Sequence, residues 1–182
     1  MRIVAGEWRG RNLVTPEGDV TRPTSDRTRE TLFSMLISRL GSFEDLRVAD
    51  LFAGSGALGL EALSRGAASC VFVEQDPAAI RALRANIANL RAQDQCDVRA
   101  TSVLSMGAVR GEPLDLVLLD PPYGTGAGVV AIDKLTRLGW ISPSAWVSLE
   151  TGHREDAAVK GYVTDAVRDV GKARLHLLRR EA

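Results

Sequence analysis

The sequence has 182 residues, 45% hydrophobic and 25% charged, the balance of one globular domain and too few residues for two ordinary ones. It contains no run near the roughly 20 apolar residues that span a bilayer, no leader-like apolar core at the start, and only Cys70 and Cys96, which give neither a disulfide framework nor a metal-ligand spacing. The 23 basic and 23 acidic residues cancel, yet Arg2, Arg9 and Arg11 gather near one end and Arg168, Lys172, Arg174, Arg179 and Arg180 near the other, a distribution that permits a local anion-binding face. A cytoplasmic monomer without membrane or metal is expected, with Cys70 a buried thiol.

In chain order, two short extended pieces at 2–5 and 11–14, joined through Gly6 to Gly10, predict a small hairpin. Pro16, Gly18 and Pro23 then break any regular structure in the polar stretch before the first helix. Ser25 or Asp26 caps that helix, which has Leu32, Phe33, Leu36, Ile37 and Leu40 on one stripe and is closed by Gly41. From Arg47 the pattern becomes strand, turn, helix, repeated. Strands are expected at 48–52, 70–74, 98–101, 114–119 and 145–149, and helices at 57–65, 77–90 and 129–138. Segments 163–170 and 173–178 read as a closing antiparallel hairpin around Gly171-Lys172. Such alternation predicts an α/β fold with a parallel sheet, helices on both faces, and a ligand at the carboxyl ends of the strands. The expected division is an N-terminal hairpin-and-helix extension at 1–45 and a main domain at 46–182.

Directly after the first strand stands Asp50-Leu51-Phe52-Ala53-Gly54-Ser55-Gly56-Ala57-Leu58-Gly59. Glycines at 54 and 56 allow a sharp turn whose backbone approaches a ligand, and Gly59 allows the next helix to lie close to the sheet. Glu74, at the end of the second strand, is placed to accept the hydroxyl hydrogens of a ribose. These features suit a nicotinamide dinucleotide as well as S-adenosylmethionine. Asp50 favours the latter, because a carboxylate there repels a pyrophosphate and attracts a sulfonium and an ammonium.

The fourth strand ends in Asp120-Pro121-Pro122-Tyr123. Two prolines make a stiff corner without backbone donors, and a carboxylate beside a bare carbonyl can accept both hydrogens of one amino group. An exocyclic base amine is conjugated with its ring and needs such a pair to free its lone pair for in-line attack on a methyl group. Tyr123 offers a face for an extruded base. A plain structural turn with a capping Asp is the alternative reading of the same four residues.

With these residues in place, the chain resembles a known family. Asp120-Pro121-Pro122-Tyr123 is similar to the Asp/Asn-Pro-Pro-aromatic signature of the class I amino-methyltransferases. The segments 2–11, 22–33 and 50–67 resemble blocks of the RsmD family, bacterial enzymes that methylate N2 of a guanine in 16S ribosomal RNA. The resemblance implies a Rossmann-like, seven-stranded, mostly parallel sheet with the last strand antiparallel, and S-adenosylmethionine as cofactor. It implies that Gly54, Ser55 and Gly56 line the methionine end of the cofactor, Glu74 the ribose, and Ser102 and Val103 the adenine, with Asp50, Phe52, Ala53 and Gln75 also among the cofactor-binding residues. Relatives carry Asn or Asp where Ser102 stands. Asp120, the Pro121 carbonyl and Tyr123, with Pro122, would hold the guanine. Thr24, Asp26 and Arg27 would close over the cofactor or grip RNA phosphate. Trp8, Arg9 and Arg11 could clamp RNA, or Trp8 could cover the sheet edge. The implied partner is 16S ribosomal RNA in the small subunit or an assembly intermediate. Remaining rivals are a DNA adenine or protein-glutamine methyltransferase, and a nicotinamide oxidoreductase.

Overall fold

A computed structural model describes residues 1–16 and 26–182. The chain runs α1 (Asp26–Leu40), β1 (Arg47–Leu51), α2 (Ala57–Ser64), β2 (Ser69–Glu74), α3 (Pro77–Asn89), β3 (Cys96–Ala100), β4 (Leu114–Leu119), α4 (Ala127–Arg137), β5 (Ile141–Thr151), β6 (Tyr162–Val170) and β7 (Ala173–Arg180). The strands form one seven-stranded sheet in the order β3-β2-β1-β4-β5-β7-β6. β1 to β5 pair in parallel, and β7 runs antiparallel to both β5 and β6. The expected α/β fold with an antiparallel seventh strand is therefore present.

Alternation along the central strands builds the core. Val48, Leu116 and Leu118 enter one apolar cluster with Phe33, Leu60 and Leu83, so α1, α2 and α3 cover that face. Their chain neighbours Ala49, Val117 and Leu119 enter the other cluster with Ile132 and Leu135 of α4. Successive side chains of a strand point to opposite faces, and a strand apolar at every position is one buried on both. Gly59 sets the spacing of α2: a Cβ there would stand 2.4 Å from Phe72 and 2.6 Å from the Cys70 sulfur. β1 lies between β2 and β4, so the strand order reverses beside it and a crevice opens at the carboxyl ends of β1 and β4.

Three expectations change. The N-terminal pieces pair over a shorter length than 2–5 and 11–14: Ile3 N–H donates to Arg11 O at 3.0 Å and Leu13 N–H to Met1 O at 2.9 Å around the antiparallel bridge of Arg2 to Asn12. Val4 and Ala5 N–H donate instead to the Glu61 carboxylate, and Trp8 N–H to Ser64 Oγ, both on α2. Ile37 is 37% exposed and leaves the buried stripe of α1, which instead contains Met35 and Arg29. β5 begins at Ile141, not at 145, because Leu114 pairs with Ile141 before a register shift, and Pro143 sits in that irregular stretch. The residues expected to cap α1 include Ser25, which lies outside the described residues. Among the described residues no helix is long and apolar enough to cross a membrane.

Candidate active site

The loop after β1 is held in an unusual backbone shape. Phe52, Gly54 and Gly56 have φ of 59°, 57° and 86°. For a bulky residue such as Phe52 this region costs on the order of 1–3 kcal/mol, the kind of strain that persists where surrounding contacts fix it. Here Ala53 N–H donates to Val73 O at 3.1 Å, and Gly56 N–H donates to Ala53 O at 2.8 Å. A Cβ on Gly56 would stand 2.4 Å from Leu83, whereas one on Gly54 would meet nothing within 4 Å, so Gly54 faces open space. Asn86, buried in α3, donates to Ser55 O and to Val14 O at 2.9 Å, and accepts from Val14 N–H at 2.7 Å. One amide thus ties the loop to the N-terminal segment. Ser55 is itself buried, its Oγ 3.9 Å from Met1 Sδ.

Glu74 closes the other side. Its Oε1 accepts Gly54 N–H at 2.8 Å, and its Oε2 accepts both Gln75 and Asp76 N–H at 2.9 Å. A carboxylate has about four acceptor positions, so with three backbone donors accepted about one position is left for a further donor. Gln75 is exposed beside it. Ser102 caps a short turn, accepting Leu104 N–H at 3.2 Å, and Val103 is buried. Phe52, Gly54, Glu74, Gln75, Ser102, Val103, Asp120 and Pro122 line one cleft of about 440 Å³, within the range of roughly 300–1,000 Å³ usual for small-molecule sites. The expected adenosine-side residues are therefore brought together with the corner after β4, and they fit an adenosine-bearing cofactor.

Asp50 differs from the charged carboxylate expected ahead of the loop. It is 1% exposed, with Oδ2 accepting Gly59 N–H at 2.9 Å. Burial pushes its pKa up to about 8; the Gly59 hydrogen bond opposes this and the nearby Glu74 charge adds to it. At neutral pH the group is uncharged, so the repulsion of a pyrophosphate expected from the sequence does not operate here. A cation arriving beside it would favour loss of its proton.

At the corner, Asp120 is half-buried, Pro121 buried and Pro122 exposed, the Pro122 carbonyl accepting Thr125 Oγ at 2.8 Å. Tyr123 is 41% exposed, and its hydroxyl donates to Glu150 Oε2 at 2.7 Å. Glu150, buried at the end of β5, pins one end of the ring while much of the ring stays accessible. The residues expected to contact RNA are more dispersed. Trp8 is 8% exposed within the core, so it presents little ring to a base. Arg9 and Arg27 are exposed, Arg9 beside Asp26 and Glu30, and Arg11 donates to Asn89 O at 3.0 Å. Thr24 lies outside the described residues. At the basic C-terminal end Arg174 pairs with Asp169 at 2.7 Å, Arg179 stacks 4.4 Å over Trp146 and Arg180 donates to Ile141 O at 2.9 Å, which leaves Arg168 and Lys172 as its exposed basic residues.

Four residues of this site escape sequence reasoning. Arg29 and Glu61 form a buried ion pair at 3.2 Å, and the signal that could have found Arg29 is a charge on an otherwise apolar helix stripe. Asn86 occupies a similar position in α3. Glu150 follows the buried run of β5 and carries no signal except its place at a strand end.

A sheet of this order, with a glycine loop after β1, an acid ending β2 and a proline corner after β4, defines a class I methyltransferase, a class that uses S-adenosylmethionine. The ribosomal protein L11 methylase of Lactobacillus delbrueckii subsp. bulgaricus shares the fold at a TM-score of 0.71 and 17% identity, over 97% of this chain and 93% of that one. The family described as "conserved hypothetical protein 95" matches residues 1–179, and the chain belongs to it, the RsmD family. It is 41% identical over 151 residues to "Ribosomal RNA small subunit methyltransferase D" of Escherichia coli (strain K12), which spans 83% of this chain and 74% of that protein. The solved Escherichia coli structure described as methyltransferase yhhF superposes at a TM-score of 0.86 with 38% identity, covering 100% of this chain and 98% of that one.

Proposed function

We propose that the protein transfers the methyl group of S-adenosylmethionine to the exocyclic N2 amino group of a guanine in 16S ribosomal RNA, acting in the cytoplasm on the small subunit or an assembly intermediate. The observation that carries the reading is the convergence of Asp120 and Pro122 with Gly54 and Glu74 in one cleft. The name of the Escherichia coli relative supports the ribosomal substrate. The cofactor supplies a methyl group already activated on a sulfonium. The protein's task is then to orient a weak nucleophile.

In this reading the Asp120 carboxylate and the Pro121 carbonyl accept the two amino hydrogens and turn the nitrogen lone pair toward the methyl group. The surplus proton leaves along the hydrogen bond to Asp120. Tyr123, steadied by Glu150, stacks on the base, which is worth about 1–3 kcal/mol. Gly54, Ser55 and Gly56 flank the methionine end, Glu74 and Gln75 the ribose, and Ser102 and Val103 the adenine. Residues 1–45 form the RNA-contacting, cofactor-covering part, with Arg9, Arg11 and Arg27 meeting phosphates.

The test is transfer of radiolabelled methyl to undermodified small subunits and to their naked RNA, followed by nucleoside analysis. Label in N2-methylguanosine at one site is expected. Label in N6-methyladenosine would replace the guanine reading. Cofactor binding without transfer to either substrate would discard the ribosomal target.

A further inference from the structure

Arg29 is the one guanidinium of α1 drawn wholly inside the protein, at 1% exposure. Its Nε donates to Glu61 Oε1 at 3.2 Å, and its Nη2 donates to Asp26 Oδ1 at 3.1 Å and to the Arg2 carbonyl. Nη1 is buried and has no hydrogen-bond partner among the described residues. A buried donor left unmatched is costly, more so on a charged group. The space that Arg29 lines can supply a partner.

That space is a recess of about 100 Å³ bounded by Arg29, Asp50, Ser55 and Asp120. Phe52, Gly54 and Asp120 line both it and the larger cleft beside Glu74, so the two adjoin. Asp50 and Asp120 line the same recess as Arg29. A recess lined by a guanidinium and by carboxyl groups is complementary to the zwitterionic head of an amino acid.

We infer that Arg29 Nη1 binds the α-carboxylate of the cofactor's methionine moiety, with the α-ammonium directed to Asp50. This rests on the methyltransferase reading and adds to it a residue contributed from outside the main α/β domain. No bond is made or broken by Arg29. Its effect lies in affinity and in selection for ligands that keep the amino-acid head.

The experiment compares calorimetric binding of S-adenosylmethionine with that of decarboxylated S-adenosylmethionine, which keeps the sulfonium, ammonium, ribose and adenine. Wild-type protein should prefer the intact cofactor by about 10- to 100-fold, the range of a charge-assisted hydrogen bond. In R29K and R29Q, checked for folding by circular dichroism, the preference should collapse through loss of affinity for the intact cofactor alone. Equal binding of both ligands by wild type would overturn the inference and leave the methyltransferase reading standing. A preference that survives in both folded variants, or weakened RNA binding with unchanged cofactor affinity, would also overturn it. Failure of wild type to bind either ligand would instead overturn the methyltransferase reading.

Discussion

Glu61 holds together three parts of the structure, and replacing it should show this. It is fully buried. It pairs with Arg29 at 3.2 Å and Arg65 at 2.9 Å, and accepts Val4 and Ala5 N–H at 2.8 and 3.1 Å. Glu61→Ala removes one partner of a buried ion pair and strands two backbone donors. Removing one partner of such a pair costs about 3–5 kcal/mol, because the charge left behind stays desolvated. For a protein of this size each kcal/mol lowers Tm by roughly 2–4 °C, so the fall should be about 6–20 °C. Urea unfolding followed by circular dichroism would measure the loss at constant m. The double variant Glu61→Leu/Arg29→Met should recover part of it, since both buried charges are then gone. A loss below about 1 kcal/mol for Glu61→Ala, a size more typical of exposed ion pairs, would refute the assignment of Glu61 as the clamp between the N-terminal segment, α1 and α2.

Other consequences can be checked separately. Asp120→Ala should cut methyl transfer by about 100-fold or more, the cost of losing one positioned polar contact at a reacting centre, while calorimetry finds cofactor affinity nearly intact; substantial residual activity would contradict its role at the corner. Glu74→Ala should weaken cofactor binding about 10- to 100-fold, and an unchanged Kd would remove the ribose assignment. Asp50 keeps its proton in the fold up to about pH 8 against an ordinary value of 3.8. The native state therefore holds an extra proton between those values, and this contribution to stability is lost as pH rises toward 8 and stays flat above it. Asp50→Asn should flatten that slope in urea titrations, and a profile identical to wild type would show that another group causes it.

Much of this fold is legible in the sequence because parallel strands buried on both faces have to be apolar throughout, as 114–119 is, and because glycine is required where Gly56 and Gly59 touch Leu83, Phe72 and Cys70. The shapes of the loop after β1 and of the corner after β4 are legible for a similar reason: the positive φ at Gly54 and Gly56 and the fixed φ of Pro121 and Pro122 narrow the residues that can stand there. The residues that escape depend on contacts distant in sequence. Glu150 acquires its role from Tyr123, and Asn86 from Ser55 and Val14. Nothing local marks either residue. The N-terminal hairpin is shorter than its extended residues suggest for a related reason: Glu61 of α2 takes the N–H groups of Val4 and Ala5. Asp50 reads as an anion because sequence reveals a carboxyl group but not its burial.

The placement of β4 beside β1 also spreads the cleft along the chain. β1, β2 and β3 are contiguous in the chain, β2 pairing with both of the others, and they supply the glycine loop and Glu74. The proline corner is set by the pairing of β4 with β1, and Tyr123 is held by Glu150 of β5. A cleft assembled from four strands so far apart in sequence ties its shape to the whole sheet, so a disturbance at β5 can reach the corner after β4 without touching the glycine loop.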